Sequence, residues 1–149
     1  MVSVMGYPGD MSTLRENPAE ADSGREVDDL AFDVLQRRCP SRPALEHITG
    51  RWGTLVLLAL REGPTRFNEL RRRVDGVSEK MLAQSLHALE RDGFVGRTVH
   101  STIPPRVEYT LTPLGTTVME KLTDLVECLE GAMPEILAAQ ERYDAAVES

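Results

Sequence analysis

With 149 residues and 41% apolar side chains, the chain is long enough for about one domain with a modest core. Its formal charge of −7 is carried unevenly: residues 1–38 hold 4 basic and 8 acidic side chains, residues 39–112 hold 11 and 8, and residues 113–149 hold 2 and 8, so the net value does not exclude a polyanionic partner for the basic middle. Two cysteines, Cys39 and Cys128, without Cys-x-x-Cys spacing or clustered histidines, argue against a disulfide framework and a zinc site. The N-terminus lacks the pattern of a signal peptide, and the longest apolar run, Leu55–Leu60, is too short to cross a membrane, so a soluble cytoplasmic protein without metal or cofactor is expected.

Residues 1–25 mix Gly, Pro, Ser and acids without apolar periodicity and are expected to be a disordered acidic arm. Over residues 26–38, Leu30, Val34 and Leu35 share one side of a helix pattern, with acids in its first turn and arginines in its last, as the helix dipole prefers. A short helix, PALEHI, follows. RWGTLVLLALREG is apolar nearly all round, predicting a central core helix that Gly63-Pro64 stops. Thr65 is a candidate cap for RFNELRRRV, in which Phe67, Leu70 and Val74 face inward. Asp75-Gly76 supplies a turn, Ser78 caps SEKMLAQSLHALERD, and Gly93 ends it. FVGRTVHS and RVEYTLT, joined by TIPP, read as a hairpin. Thr112-Pro113 opens a long helix carrying Leu114, Val118, Leu122, Leu125 and Leu129 on one stripe, which Gly131 and Pro134 break or kink before a final amphipathic segment.

The order helix, turn, helix, two-stranded ribbon predicts a mainly α fold with a small β-hairpin: a winged helix-turn-helix over residues 39–112, followed by helices over 113–149. In the second helix Leu82, Leu86 and Leu89 form the inward face, leaving Lys80, Gln84, His87 and Arg91 opposite. Gln can bind adenine bidentately and Lys can donate to guanine or phosphate, so Lys80 and Gln84 are candidate base readers, with Ser85 and His87 further along the helix. Ser78 and the N–H groups around it can hold a phosphate. Glu79 opposes phosphate; it either accepts from cytosine or favours the helix dipole. Arg66, one or two of Arg71, Arg72 and Arg73, and Arg97, His100 and Arg106 of the hairpin are candidate backbone contacts, with Arg73 the one singled out in the run and Arg106 equally able to pair with Glu108. The bland alternative throughout is a solvated surface. The long stripe after Pro113 fits either a subunit interface or an intrachain core helix. No Ser/His/Asp order, phosphate loop or close carboxylate pair points to an enzyme.

Several spaced motifs then carry a resemblance: Cys39-Pro40, Gly50-Arg51-Trp52, Gly63-Pro64-x-Arg66-Phe67-x-Glu69-Leu70, Ser78-x-x-Met81-Leu82 and Pro104-Pro105-Arg106-Val107-x-Tyr109-x-Leu111-Thr112-x-x-Gly115. Over about residues 39–130 the sequence resembles the HxlR-type winged-helix regulators, which are related in architecture to MarR-type regulators. The resemblance implies a bacterial homodimer that reads an inverted-repeat operator in double-stranded DNA with the helix starting at Ser78 and with the hairpin, acting as a repressor or an activator. It also implies a dimer interface built from the N-terminal helix over 26–38, with Leu30 and Val34, and from the last helices over 113–149. A further implication is an oxidant, electrophile or small ligand as effector, sensed through the cysteine matching Cys39. From the residues alone Cys39 stays open: Arg37, Arg38, Arg42 and the following helix start favour its thiolate, the preceding helix end disfavours it, and a structural thiol is the alternative. A winged-helix module that docks protein and not DNA, motivated by the acidic flanks, is the competing functional expectation.

Overall fold

The structure, a computed structural model, describes residues 31–148. These divide after Thr49 into two compact units. In the first, residues 34–38 form turns and a bend, and α1 spans Ser41–Thr49. The second holds α2 (Gly53–Ala59, extended by a 3-10 turn over Leu60–Glu62), β1 (Thr65–Arg66), α3 (Phe67–Arg73), α4 (Glu79–Arg91), β2 (Val95–Thr102), β3 (Pro105–Leu111), α5 (Pro113–Gly131) and α6 (Met133–Glu148). This is the predicted winged helix-turn-helix class. Among the described residues no helix is long and apolar enough to cross a membrane.

The helix expected over residues 26–38 is absent from the part of it that is described. Asp33 competes with helix by bonding its own neighbours: its Oδ1 accepts from the Leu35 N–H at 3.0 Å, an Asx turn, while its own N–H donates to Cys39 Sγ at 3.2 Å. Arg42 then closes the turn by donating to the carbonyls of Val34 and Leu35 at 2.9 and 2.8 Å. Leu30 lies outside the described residues, as does the expected acidic arm.

In the second unit the core is aliphatic. Val56, Leu57 and Leu60 of the α2 region, Leu70 and Val74, Val77, Leu82, Leu86 and Leu89, Phe94, Val95, Met119 and Leu122 are all buried. α2 packs against both α4 and α5, so it is the central helix, although Leu55 on its outer side stays exposed. Thr65 does not cap α3. Its backbone is extended and paired with Tyr109 in a three-stranded antiparallel sheet of order β1-β3-β2, and its buried hydroxyl donates to Gly63 O at 2.8 Å. The two-residue β1, too short to carry any alternation, is the element that sequence periodicity missed.

The start of α5 is locked to the start of the wing. Thr112 caps α5, its Oγ1 accepting from the Gly115 N–H at 2.9 Å and donating to Gly93 O at 2.6 Å, while the Thr112 N–H donates to Phe94 O. Gly115 is pressed so closely against the Phe94 carbonyl that any Cβ there would collide with backbone. The buried face of α5 is Gly115, Met119 and Leu122, so the expected stripe divides: Leu122 belongs to the core, Val118 is half-buried, and Leu114, Leu125 and Leu129 are exposed. The helix is interrupted at Ala132, where Pro134 has no N–H to donate, and resumes as α6.

Gly115→Ala is therefore expected to cost about 3 kcal/mol in urea denaturation. Gly96→Ala, whose Cβ would sit 3.4 Å from Thr110 Oγ1, should lose far less; equal losses would show that the Phe94 approach does not constrain the fold.

Candidate nucleic-acid interface

α4 has one face fixed and one free. Ser78, extended at φ −81 and ψ 162, caps it by accepting from the Met81 N–H at 3.1 Å, which starts the helix at Glu79 as the sequence predicts. Leu82, Leu86 and Leu89 are at most 2% exposed, and burial of that stripe sets the rotation of the helix about its axis. Lys80, Gln84, His87 and Arg91 are left in solvent, whereas Ser85 is half-buried at the edge of the free face. The side of α4 next to the hairpin forms an open groove lined by Ala83, His87, Glu90 and Arg91 with Arg97 and Tyr109 of the strands. Glu90, which the sequence reading did not weigh, places a negative charge in that groove.

The three consecutive arginines of α3 have three different fates. Arg71 Nη1 lies 2.9 Å from Glu79 Oε2, joining the end of α3 to the first turn of α4. Arg73, the member expected to contact DNA, is instead occupied within the protein. Its Nη1 donates to Ala59 O at 2.8 Å, and its Nη2 lies 3.2 Å from Glu69 and 3.8 Å from Glu62. Arg72 has no carboxylate partner among the described residues. It lines a second groove with Arg66, Asn68, Glu69, Pro105 and Arg106, where the start of α3 meets the turn end of β3. The 100° spacing of successive helix residues shows that the run must diverge; which arginine stays free depends on Glu69 one turn back and on Glu62 and Glu79 farther along the chain.

In the wing, Glu108 accepts from His100 Nε2 at 2.7 Å, so of the two alternatives for Arg106 the pair with Glu108 is not formed and a cross-strand pair takes its place. A register shift between Val99 and Ser101 leaves His100 opposite no residue of β3, which lets its ring reach Glu108. Arg97 and Arg106 remain exposed.

The first unit contains Cys39, half-buried, with its Sγ 3.1 Å from Ser41 Oγ. Its pKa is lowered, first by the Ser41 hydroxyl and then by the backbone N–H groups of Ser41 and Asp33; burial and the Asp33 charge oppose this. The arginines expected to stabilise the thiolate are not its cause. Arg42 is turned to the carbonyls of Val34 and Leu35, and Arg37 and Arg38 are exposed. Cys128 is exposed on α5.

A capped helix with its apolar stripe buried on a second helix, a preceding helix that supports its start and a hairpin beside it define a winged helix-turn-helix protein. The HxlR-like helix-turn-helix family model matches residues 47–136. The HTH-type transcriptional regulator YtfH of Escherichia coli K12, itself uncharacterised, is 54% identical over 109 residues, covering 73% of this chain and 86% of YtfH. A solved YtfH structure from Salmonella typhimurium superposes with a TM-score of 0.70 at 52% identity, covering 74% of this chain and 98% of that one. The redox regulator HypR in its reduced form superposes with a TM-score of 0.61 at 33% identity, covering 66% and 98%. The chain belongs to the HxlR-like helix-turn-helix family and is a transcriptional regulator of the helix-turn-helix type.

In a Cys128→Ser background, the pH profile of Cys39 alkylation by iodoacetamide should shift to higher pH when Ser41 becomes Ala, since the thiolate loses its main hydrogen-bond donor. An unmoved profile would mean that Ser41 does not set the thiol's acidity.

Proposed function

We propose that the protein is a cytoplasmic homodimeric repressor that reads an inverted-repeat operator in double-stranded DNA, with α4 in the major groove and the β2–β3 wing along the backbone. The observation that carries this reading is the division of α4: its leucine stripe is buried, so Lys80 and Gln84 near its capped start face outward on a surface that also presents Arg66, Arg72, Arg97 and Arg106. In this arrangement Lys80 and Gln84 read base edges, Ser78 and the first N–H groups of α4 face a phosphate, and His87 and Ser85 border the groove edge. Arg66, Arg72 and Arg106 contact the backbone at the turn end of the wing and Arg97 contacts it nearer α4. Arg73 acts one step back, holding α3 to the end of α2.

Dimerisation is supported by the exposed apolar series on α5 and α6. Leu125, Leu129, Met133 and Leu137 are 52%, 48%, 39% and 50% exposed, a run of large apolar side chains left in solvent at four-residue spacing across two successive helices. Leu114 and Val118 lie at the wing end of the same helix, and Val34 with Leu30 is assigned to the interface on family grounds. A two-fold dimer sets the two copies of α4 about 34 Å apart, one turn of the duplex. Release by an oxidant or electrophile is supported by the lowered pKa of Cys39 and by the likeness to structures described as the redox regulator HypR and as diamide-treated YodB of Bacillus subtilis.

Lys80→Ala or Gln84→Ala is expected to weaken operator binding by about 1–3 kcal/mol and to relax base preference at one position per half-site. Arg72→Ala should weaken binding on every sequence and flatten the salt dependence by about one unit, whereas Arg73→Ala should lower thermal stability and leave the slope unchanged. Absence of any gel shift at about 50 mM salt with the protein's own promoter region, from a folded protein, would favour a protein-docking module. Leu125→Glu combined with Leu129→Glu should give monomers in sedimentation and abolish binding to the paired half-sites; dimers that persist would move the interface elsewhere.

A further inference from the structure

The ion pair between Arg71 and Glu79 contributes little to the fold. The two side chains are 45% and 70% exposed, and an exposed pair of this kind adds little stability. α3 and α4 are already held by Leu70, Val74, Val77 and Leu82, all buried. Yet Glu79 stands next to Lys80, at the point of α4 that must come nearest the duplex, and shares a shallow hollow with Asn68, Arg71 and Arg72. A carboxylate in that place repels phosphate and neutralises the arginine beside it. Arg71, held at 2.9 Å, displaces no counterion from DNA while the pair stays closed.

We propose that the Arg71–Glu79 pair is a specificity device: Glu79 withholds Arg71 from the phosphates of non-specific DNA, and the pair opens at the operator, where Glu79 accepts from a cytosine amino group and Arg71 passes to a phosphate. This rests on the reading that α4 enters the major groove. Selectivity is a difference between two affinities, and a closed pair lowers the weaker of them. On a wrong sequence, opening would leave the Glu79 carboxylate desolvated near phosphates with no donor, so the pair stays shut and one backbone contact is lost. At the operator the base edge supplies the missing donor, because cytosine presents an N4 amino group in the major groove to which a carboxylate is complementary. The exchange replaces one hydrogen-bonded ion pair by two contacts to DNA.

The test measures affinity against salt concentration for the full-length protein on a footprinted operator duplex and on a scrambled duplex of equal composition. Glu79→Gln is expected to tighten scrambled-duplex binding about tenfold and steepen its salt slope by about one, and to weaken operator binding about tenfold. Arg71→Ala should flatten the slope by about one on the operator only, and the double variant should lose on scrambled DNA the steeper slope that Glu79→Gln shows. Circular dichroism and thermal melting of each variant should match the parent, since the pair is on the surface. A Glu79→Gln protein with parental slope and affinity on scrambled DNA, while Lys80→Ala still weakens the operator, overturns this inference alone. Arg71→Ala flattening both slopes equally overturns it as well. If Lys80→Ala and Gln84→Ala have no effect on either duplex, the reading of α4 fails and this inference with it.

Discussion

Burial of Leu82, Leu86 and Leu89 beneath α2 is the constraint on which the rest of the structure depends. A helix rolled by even one residue would turn about 100°, taking a leucine into solvent and a polar side chain into an aliphatic core. Because that rotation is fixed by several fully buried side chains, the positions of Lys80 and Gln84 are fixed as well, without any contact of their own. The direction of that polar face is thus a by-product of core packing. Ser78 sets where the helix begins, and the leucines set which way it faces.

Around this helix the protein distributes positive charge by pairing some arginines and leaving others open. Arg73 is consumed in bracing α3 against the end of α2, Arg71 is balanced by Glu79, and Arg72, Arg66 and Arg106 converge at the turn end of the wing. A short-range field of this kind is compatible with the acidic total of the chain. Over distances longer than about 10 Å, salt screens the acidic helices from this basic surface.

Local signals were legible in the sequence, and tertiary ones were not. The caps at Ser78 and Thr112, the Gly93 stop, the hairpin and the leucine stripe each depend on residues within a few positions of one another, and each is found where the periodicity puts it. β1 escaped because two residues have no period, and its pairing with β3 also displaced Thr65 from its expected cap. The fates of Arg71 and Arg73 depend on Glu79, Glu62 and Ala59, which chain order does not bring together; the i,i+4 pair of Arg73 with Glu69 was the local signal that the sequence offered and that went unused. The stripe of α5 looked uniform, but Leu122 faces the core and Leu125 does not, since only packing against α2 and the sheet tells which residues of a broad apolar face are covered. The helix expected to run through Asp33 yields to an Asx turn, a short-range competitor that the apolar spacing does not register.

The anchorage of Thr112 and Gly115 on Phe94 makes α5 a lever with its fulcrum at the wing. The helix is 19 residues long, about 28 Å at 1.5 Å per residue, so a tilt of about 10° at the fulcrum carries its far end about 5 Å. Run in reverse, the same ratio makes a few ångströms of travel near Leu129 arrive at the hairpin as a small rotation. The close contact that forbids a side chain at residue 115 keeps that joint free of slack.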